Sequence, residues 1–333
     1  MKGAVSSPNV DHDGAALLRR WRDALRAPVI GAPMFLASGV DLVVAQCTSG
    51  IIGTLPALNA RPSAQFDDWL FEIEAALAGW DRDHPECPAA PYGVNLIVHK
   101  SNPRLEEDLA LCAAHQVPLV ISSMGAREDV NHAVQAYGGV TLHDVTNQMH
   151  ARKAIEKGAT GLIAVAAGAG GHAGMQSPFA MVAELRDWFD GPIALAGAIG
   201  TGRAVAAARI MGADFAYIGS TFLAAGEAQI SPAQKAAVVD ATAADIVYTP
   251  AFSGTPANYL RCSIAAAGLD PDNLPTTRRA VDVAAQDGAT KTWTDIWGCG
   301  QGVGSARAVE PAADIIDRIV HQYRDAMAGR VDA

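Results

Sequence analysis

The sequence predicts an α/β fold: a (β/α)8 TIM barrel with a mainly helical cap inserted after the eighth strand. Three observations predict it. Short apolar runs alternate with longer amphipathic ones about eight times between residues 27 and 220. The runs are continuous, the pattern of parallel strands buried on both faces. Several end in glycine and small residues, as the loops at the working face of a barrel do. A doubly wound sheet is the competing arrangement, but this number of repeated βα units fits a closed barrel better.

The first strand is "APVIGAPM" (27–34), which runs into a loop. "SGVDLVVAQCTSG" (38–50) reads as a helix with a glycine stop, and "IIGTLPAL" (51–58) as the second strand. The i, i+3, i+4 spacing of "FDDWLFEIEAAL" (66–77) is helical. "YGVNLIV" (92–98) is the third strand and "VPLVISS" (117–123) the fourth. Between them, "NPRLEEDLALCAAHQ" (102–116) reads as a helix opened by Asn102 and Pro103. "GVTLHDV" (139–145) is the fifth strand, "NQMHARKAIEKG" (147–158) a helix ending in glycine, and "TGLIAVA" (160–166) the sixth strand. Ser177 as N-cap and Pro178 at the first helical position open the helix 177–189. "GPIALAG" (191–197), a helix over 202–212 and "ADFAYIGS" (213–220) complete the eight units. Residues 226–305 are richer in polar, Pro and Thr residues, with helices expected near 232–244 and 256–267. The barrel is then 20–225 plus 306–330, closed by the amphipathic helix 312–327, and 226–305 is the cap.

The chain has 333 residues, half of them hydrophobic, enough for a sizeable core. A net charge of -10 argues against nucleic acid or an anionic membrane as partner. Five widely spaced cysteines without a CxxC fit no zinc template, so no metal is expected. Neither a signal-peptide core nor an 18-residue apolar run occurs, which predicts a cytoplasmic protein with no membrane partner.

"GLIAVAAGAGGHAGMQSP" (161–178) carries the chemistry. The strand breaks into Gly168, Gly170, Gly171 and Gly174, with His172 among them. Glycines let a backbone approach a ligand closely, and a histidine handles protons near neutral pH. Gly168, Gly170 and Ala173 formally match G-x-G-x-x-A. The dinucleotide fingerprint, however, needs its helix to begin within the glycines, and here it begins at Ser177. An incidental loop histidine is the bland alternative. The next two units weigh against it: Gly197–Ala198 and Gly219–Ser220 end the seventh and eighth strands, where barrels commonly bind a phosphate.

With these residues in view, the sequence resembles the nitronate monooxygenase family, related to the FMN-dependent enoyl-ACP reductases. The likeness rests on "PVIGAPM", "YGVNLIV", "GAGGHAG", "LAGAIGTGRAVAAARIMGADFAYIGSTFLA" and "IWGCGQGVG", and spans roughly residues 27–325. It implies an FMN cofactor, with Ala32, Pro33 and Met34 against the flavin, Asn95 near the ring, Ser122 or Ser123 at the fourth strand's end, and Gly171 in the histidine loop. Gly197, Ala198, Gly219 and Ser220 would hold the phosphate, and Gln301 and Gly302 would close the site. His172 would be the catalytic base, or as a cation would stabilise the bound anion. The implied reaction is oxidation of alkyl nitronates, and of nitroalkanes after proton removal, by O2 to carbonyl compounds and nitrite. The alternative is an NAD(P)H-dependent reductase of an enoyl thioester or a quinone; a third is a flavin or phosphate binder without turnover. A homo-oligomer is compatible with the sequence.

Departures from the family pattern are Gly31 in place of a common Gln, Ala198 in place of a second glycine, and Asp144 where Lys or a neutral residue stands. Asp144 is expected to point away from the site or pair with a cation. His99, His143 and His150 read as structural or surface residues, with His143 at a strand end as a candidate for the mouth. Trp293 and Trp297 read as cap packing, and Cys299 as a thiol near the site.

Overall fold

A computed structural model of the chain describes residues 14–274 and 293–330. Eight parallel strands form the barrel: β1 (Val29–Gly31), β2 (Gly53–Pro56), β3 (Tyr92–Ile97), β4 (Leu119–Ser123), β5 (Val140–Val145), β6 (Gly161–Val165), then β8 (Ile193–Ala196) and β9 (Phe215–Ile218). Between β6 and β8 lies a two-residue strand, β7 (Gly171–His172). The hydrogen-bonded order is β1-β9-β8-β6-β5-β4-β3-β2, and a parallel bridge between Ile30 and Ile52 joins the two ends into a ring.

Helices cover the outside: α2 (Val40–Thr48), α3 (Ser63–Asp83), α4 (Leu105–Ala114), α5 (Glu128–Ala136), α6 (Gln148–Glu156), α7 (Pro178–Arg186), α8 (Gly202–Met211) and α11 (Ala312–Met327). Helix α1 (Gly14–Ala24) precedes the first strand; its Leu17, Leu18 and Trp21 pack with the interior residues Ile30, Leu142, Ile163 and Phe215. The two-residue period of the strands sorts their side chains. Ile121, Leu142 and Ile163 fill the interior, while Val94, Val120 and Leu96 face the helices.

After β9 come α9 (Pro232–Asp240), β10 (Ile246–Thr249), β11 (Ala257–Leu260) and α10 (Arg261–Ala266). Of the expected cap, residues 275–292 lie outside the described residues. β10 and β11 pair antiparallel, and β11 pairs antiparallel with β7. This small sheet ties the segment after β9 to the loop after β6.

Local pattern misjudged some elements. The helix expected at 256–267 is β11 followed by the short α10, because pairing with β10 and β7 overrides an ambiguous apolar run. Helix α4 begins at Leu105, not at Asn102. Asn102 instead braces the turn, its Oδ1 accepting from the Arg104 N–H (3.0 Å) and its Nδ2 donating to the Ile97 carbonyl (2.8 Å). Ser177 and Pro178 hold their expected places, although the serine hydroxyl makes no capping bond.

Of the five non-glycine residues with positive φ among the described residues, three follow barrel strands, while Gln116 precedes β4 and Trp293 lies after α10. Leu36, Met124 and Ala198, in the loops after β1, β4 and β8, have φ of 62°, 63° and 56°. Each adopts the left-handed conformation that non-glycine residues avoid, and such residues cluster at functional sites.

Candidate active site

Three loops and one later segment meet at the ends of β8 and β9. The chain leaves β8 through Gly197, whose φ is 133°. A Cβ there would lie 2.7 Å from the Ala167 carbonyl oxygen, so only glycine fits without backbone movement. The Gly168 carbonyl accepts from the N–H of Ala198 (3.3 Å) and of Gln301 (2.8 Å). The Gly300 N–H donates to Ser220 Oγ (2.8 Å). Gly219 differs from Gly197: a Cβ would lie 3.4 Å from Ala32 Cβ, 3.7 Å from Met34 Cγ and 3.8 Å from Met34 Sδ, all ordinary contacts in the space between them.

The loop after β1 borders that space. The Met34 N–H donates to Ser38 Oγ (3.0 Å), and its carbonyl accepts from Asn59 Nδ2 (3.0 Å). Asn59 Oδ1 accepts from the Leu36 N–H (2.9 Å). Asn59 thus clamps the Ala32–Pro33–Met34 turn, a role the sequence reading missed. Its only signal was its place in the turn after the second strand.

Across the ring lies a directed hydrogen-bond chain on β3, β4 and β5. Asn95 Nδ2 donates to the Ile121 carbonyl (3.1 Å) and to Ser123 Oγ (2.7 Å). Ser123 donates its only proton to Asp144 Oδ2. Asp144 Oδ1 is shut off from solvent and has no partner among the described residues. Burial pushes the Asp144 carboxyl up to about 6, although the Ser123 bond works in the opposite direction. Burial, and then the charge of Asp144, raise the Tyr217 phenol on β9 well above its usual value. Asp144 and Tyr217 point into the barrel yet are only half-buried. Asn95 and Ser123 beside them are buried, and the four side chains form the floor at the C-terminal end of the ring.

His172 belongs to the loop after β6, the loop whose Gly168 and Gly170 meet the corner. It sits on β7, paired with Ala257, and its Nε2 lies 2.9 Å from Ser253 Oγ. Ser253 gives its one proton to the Thr255 carbonyl (2.9 Å). The network therefore puts a proton on His172 Nε2 and leaves the lone pair on Nδ1 of the neutral ring. The ring stands edge-on to Trp293, with centroids 5.5 Å apart at 87°. Burial pushes His172 down to about 4. This favours the neutral ring, and with it the base role over the cation.

Other expectations also change. Strand alternation puts Ser123 inside and Ser122 outside, where Ser122 Oγ is buried without a partner. Gly171 pairs with Asn258 in the small sheet and stands apart from the β8–β9 corner; Gly168 and Gly170 are the glycines that meet Gln301 and Gly300 there. Asp144 points inward, and its partner is a hydroxyl, not a cation. His143 does not line the mouth: it is buried on the outer face, its Nε2 3.0 Å from Asn131 Oδ1, and burial pushes it down to about 4. Cys299 is buried and pushed up to about 12, so its thiol stays protonated.

The fold is a (β/α)8 barrel, and the candidate groups lie toward the C-terminal ends of its strands, the face where such barrels carry their active sites. The chain belongs to the nitronate monooxygenase family, whose model matches residues 66–322. It is 25% identical over 342 residues to the nitronate monooxygenase of Paraburkholderia phytofirmans, covering 90% of this chain and 93% of that one. Matches to three other curated relatives cover 62%, 64% and 55% of the relatives' own length. Among solved structures, the nitroalkane oxidase of Streptomyces ansochromogenes has the same fold, with a TM-score of 0.75 and 23% identity over 92% of this chain and 99% of that one. So does FabK of Thermotoga maritima, with a TM-score of 0.73 and 21% identity over 94% and 97%. Among the described residues, no helix is long and apolar enough to cross a membrane, and no three or more His, Cys, Asp or Glu side chains are grouped as metal ligands.

Proposed function

We propose that the protein is an FMN-dependent oxidoreductase that oxidises alkyl nitronates with O2 to carbonyl compounds and nitrite. One observation carries this reading. The loop after β6 brings a histidine with a lowered pKa next to a small-residue corner at the ends of β8 and β9 that suits a phosphate. The bare Gly219 backbone supports this reading, because a Cβ there would fill the gap beside Ala32 and Met34.

In this reading, backbone N–H groups of Gly197, Gly219 and Ser220 would hold the phosphate, while Ala198, whose N–H is given to the Gly168 carbonyl, would shape the turn beside it. Ala32, Pro33 and Met34 lie against the ring, Asn95 meets it from the floor, and Gln301 closes the corner. When bound, FMN supplies the electron acceptor. The chain positions the substrate and handles protons. His172 offers the Nδ1 lone pair at neutral pH, and Ser253 fixes the ring that carries it. A base held near 4 is weak toward a carbon acid, which favours preformed nitronates over neutral nitroalkanes.

His172→Ala tests the assignment. It should retain FMN, because other loops form the corner. Turnover of a neutral nitroalkane should fall by about 10²–10⁴-fold, the usual worth of a positioned base. Turnover of preformed nitronate should fall less. Equal losses on both substrates would remove the base role; no loss on either would make His172 a bystander.

A further inference from the structure

We propose that the Asp144 carboxyl is the acceptor that receives the single N–H of a bound isoalloxazine ring, N3–H, and thereby fixes which end of the ring lies over β3–β5. This rests on the FMN reading above and adds a residue and an orientation to it.

Topology sets the direction. Round the ring of eight, β4 lies four strands from β9, and β3 four from β8. A ligand whose phosphate sits at the β8–β9 corner and whose body spans the mouth therefore ends over Asn95, Ser123 and Asp144. An isoalloxazine has two unlike ends: an apolar dimethylbenzene edge, and a pyrimidine edge with two carbonyls and one N–H. Hydrogen-bond accounting selects between them. Both Asn95 Nδ2 protons and the Ser123 proton are already committed, all directed along the chain toward Asp144. What this side of the floor has left is acceptors, above all the carboxyl, whose Oδ1 lacks any donor among the described residues. An unpaired buried acceptor is costly, and a donor supplied by a ligand removes that cost. The apolar edge would leave the carboxyl unpaired; the pyrimidine edge brings the one donor that the ring possesses. A hydrogen bond to a charged acceptor is among the stronger ones.

The test is binding, independent of turnover. Apo-protein is titrated with FMN and with FMN methylated at N3, following quenching of flavin fluorescence. Wild type should bind the N3-methyl flavin about 10- to 100-fold more weakly, the range expected for a hydrogen bond to a charged group. Asp144→Ala should lose most of this preference and bind the two flavins within about threefold. Asp144→Asn, which keeps size and shape, should also narrow the gap. Equal binding of both flavins by wild type overturns the inference while leaving the FMN reading intact, as does an undiminished preference in the Ala and Asn variants. If wild type binds neither flavin, the FMN reading falls and this inference with it.

Discussion

Replacing Asp144 with Asn should stabilise the protein without its cofactor, and by an amount that depends on pH. The folded state raises this carboxyl from 3.8 to about 6, chiefly by burial. A raised group favours folding while it is protonated. That contribution is complete below 3.8, fades as pH rises through 6, and leaves an ionised group that the fold hosts less well than water does. A shift of roughly two units, at 1.36 kcal/mol per unit, corresponds to about 3 kcal/mol. Asn cannot ionise, and its side-chain oxygen can still accept from Ser123. Urea denaturation of the apo-protein should therefore show Asp144→Asn more stable than wild type at pH 8, by roughly 2–3 kcal/mol, with the gain nearly gone at pH 3.5. A gain of equal size at both pH values, or a loss at pH 8, would refute the reasoning, because it would mean that the carboxylate is not strained by burial.

Ala198→Gly relieves a left-handed alanine, worth about 1–2 kcal/mol, against a smaller entropic cost in the unfolded chain; thermal melting should show a net gain of up to about 1 kcal/mol. Gly197→Ala meets the Ala167 carbonyl at 2.7 Å and should lower the melting temperature markedly. Gly219→Ala makes only ordinary contacts, so it should leave stability within about 0.5 kcal/mol while weakening FMN, read by fluorescence titration. His115 hydrogen-bonds Asp67 (2.9 Å) and Glu74 (3.1 Å). Burial opposes its cation, yet the two carboxylates together hold it above its usual 6.5. Its stabilising contribution should be complete below that value and disappear as pH rises through the raised one. The stability gap between wild type and His115→Gln should accordingly narrow from pH 6 to pH 9.

The barrel was legible because strands buried on both faces read as unbroken apolar runs, as in "TGLIAVA" and "GPIALAG". The β8–β9 corner was legible because close backbone approach demands glycine at Gly197 whatever else varies. The structure also gives the reason that Ala198 departs from a glycine pattern at a cost: its φ is 56°. The Asn95–Ser123–Asp144 chain was not legible. It depends on the inward phase of three strands and on their mutual register, which the apolar run alone does not set, so Ser122 and Ser123 both stayed open. The placement of His172 on β7, against β11, depends on pairing across more than 80 residues, which local periodicity cannot register.

The central claim, an FMN enzyme that passes electrons from nitronate to oxygen, is tested most directly by one pair of absorbance traces on the FMN-loaded protein. In air, without nicotinamide, a preformed alkyl nitronate should be consumed and nitrite released. Without oxygen, NADH or NADPH should leave the yellow flavin unbleached on the timescale of turnover. Rapid bleaching by a nicotinamide, with no nitronate consumed in air, would contradict the claim and assign the barrel to the reductases.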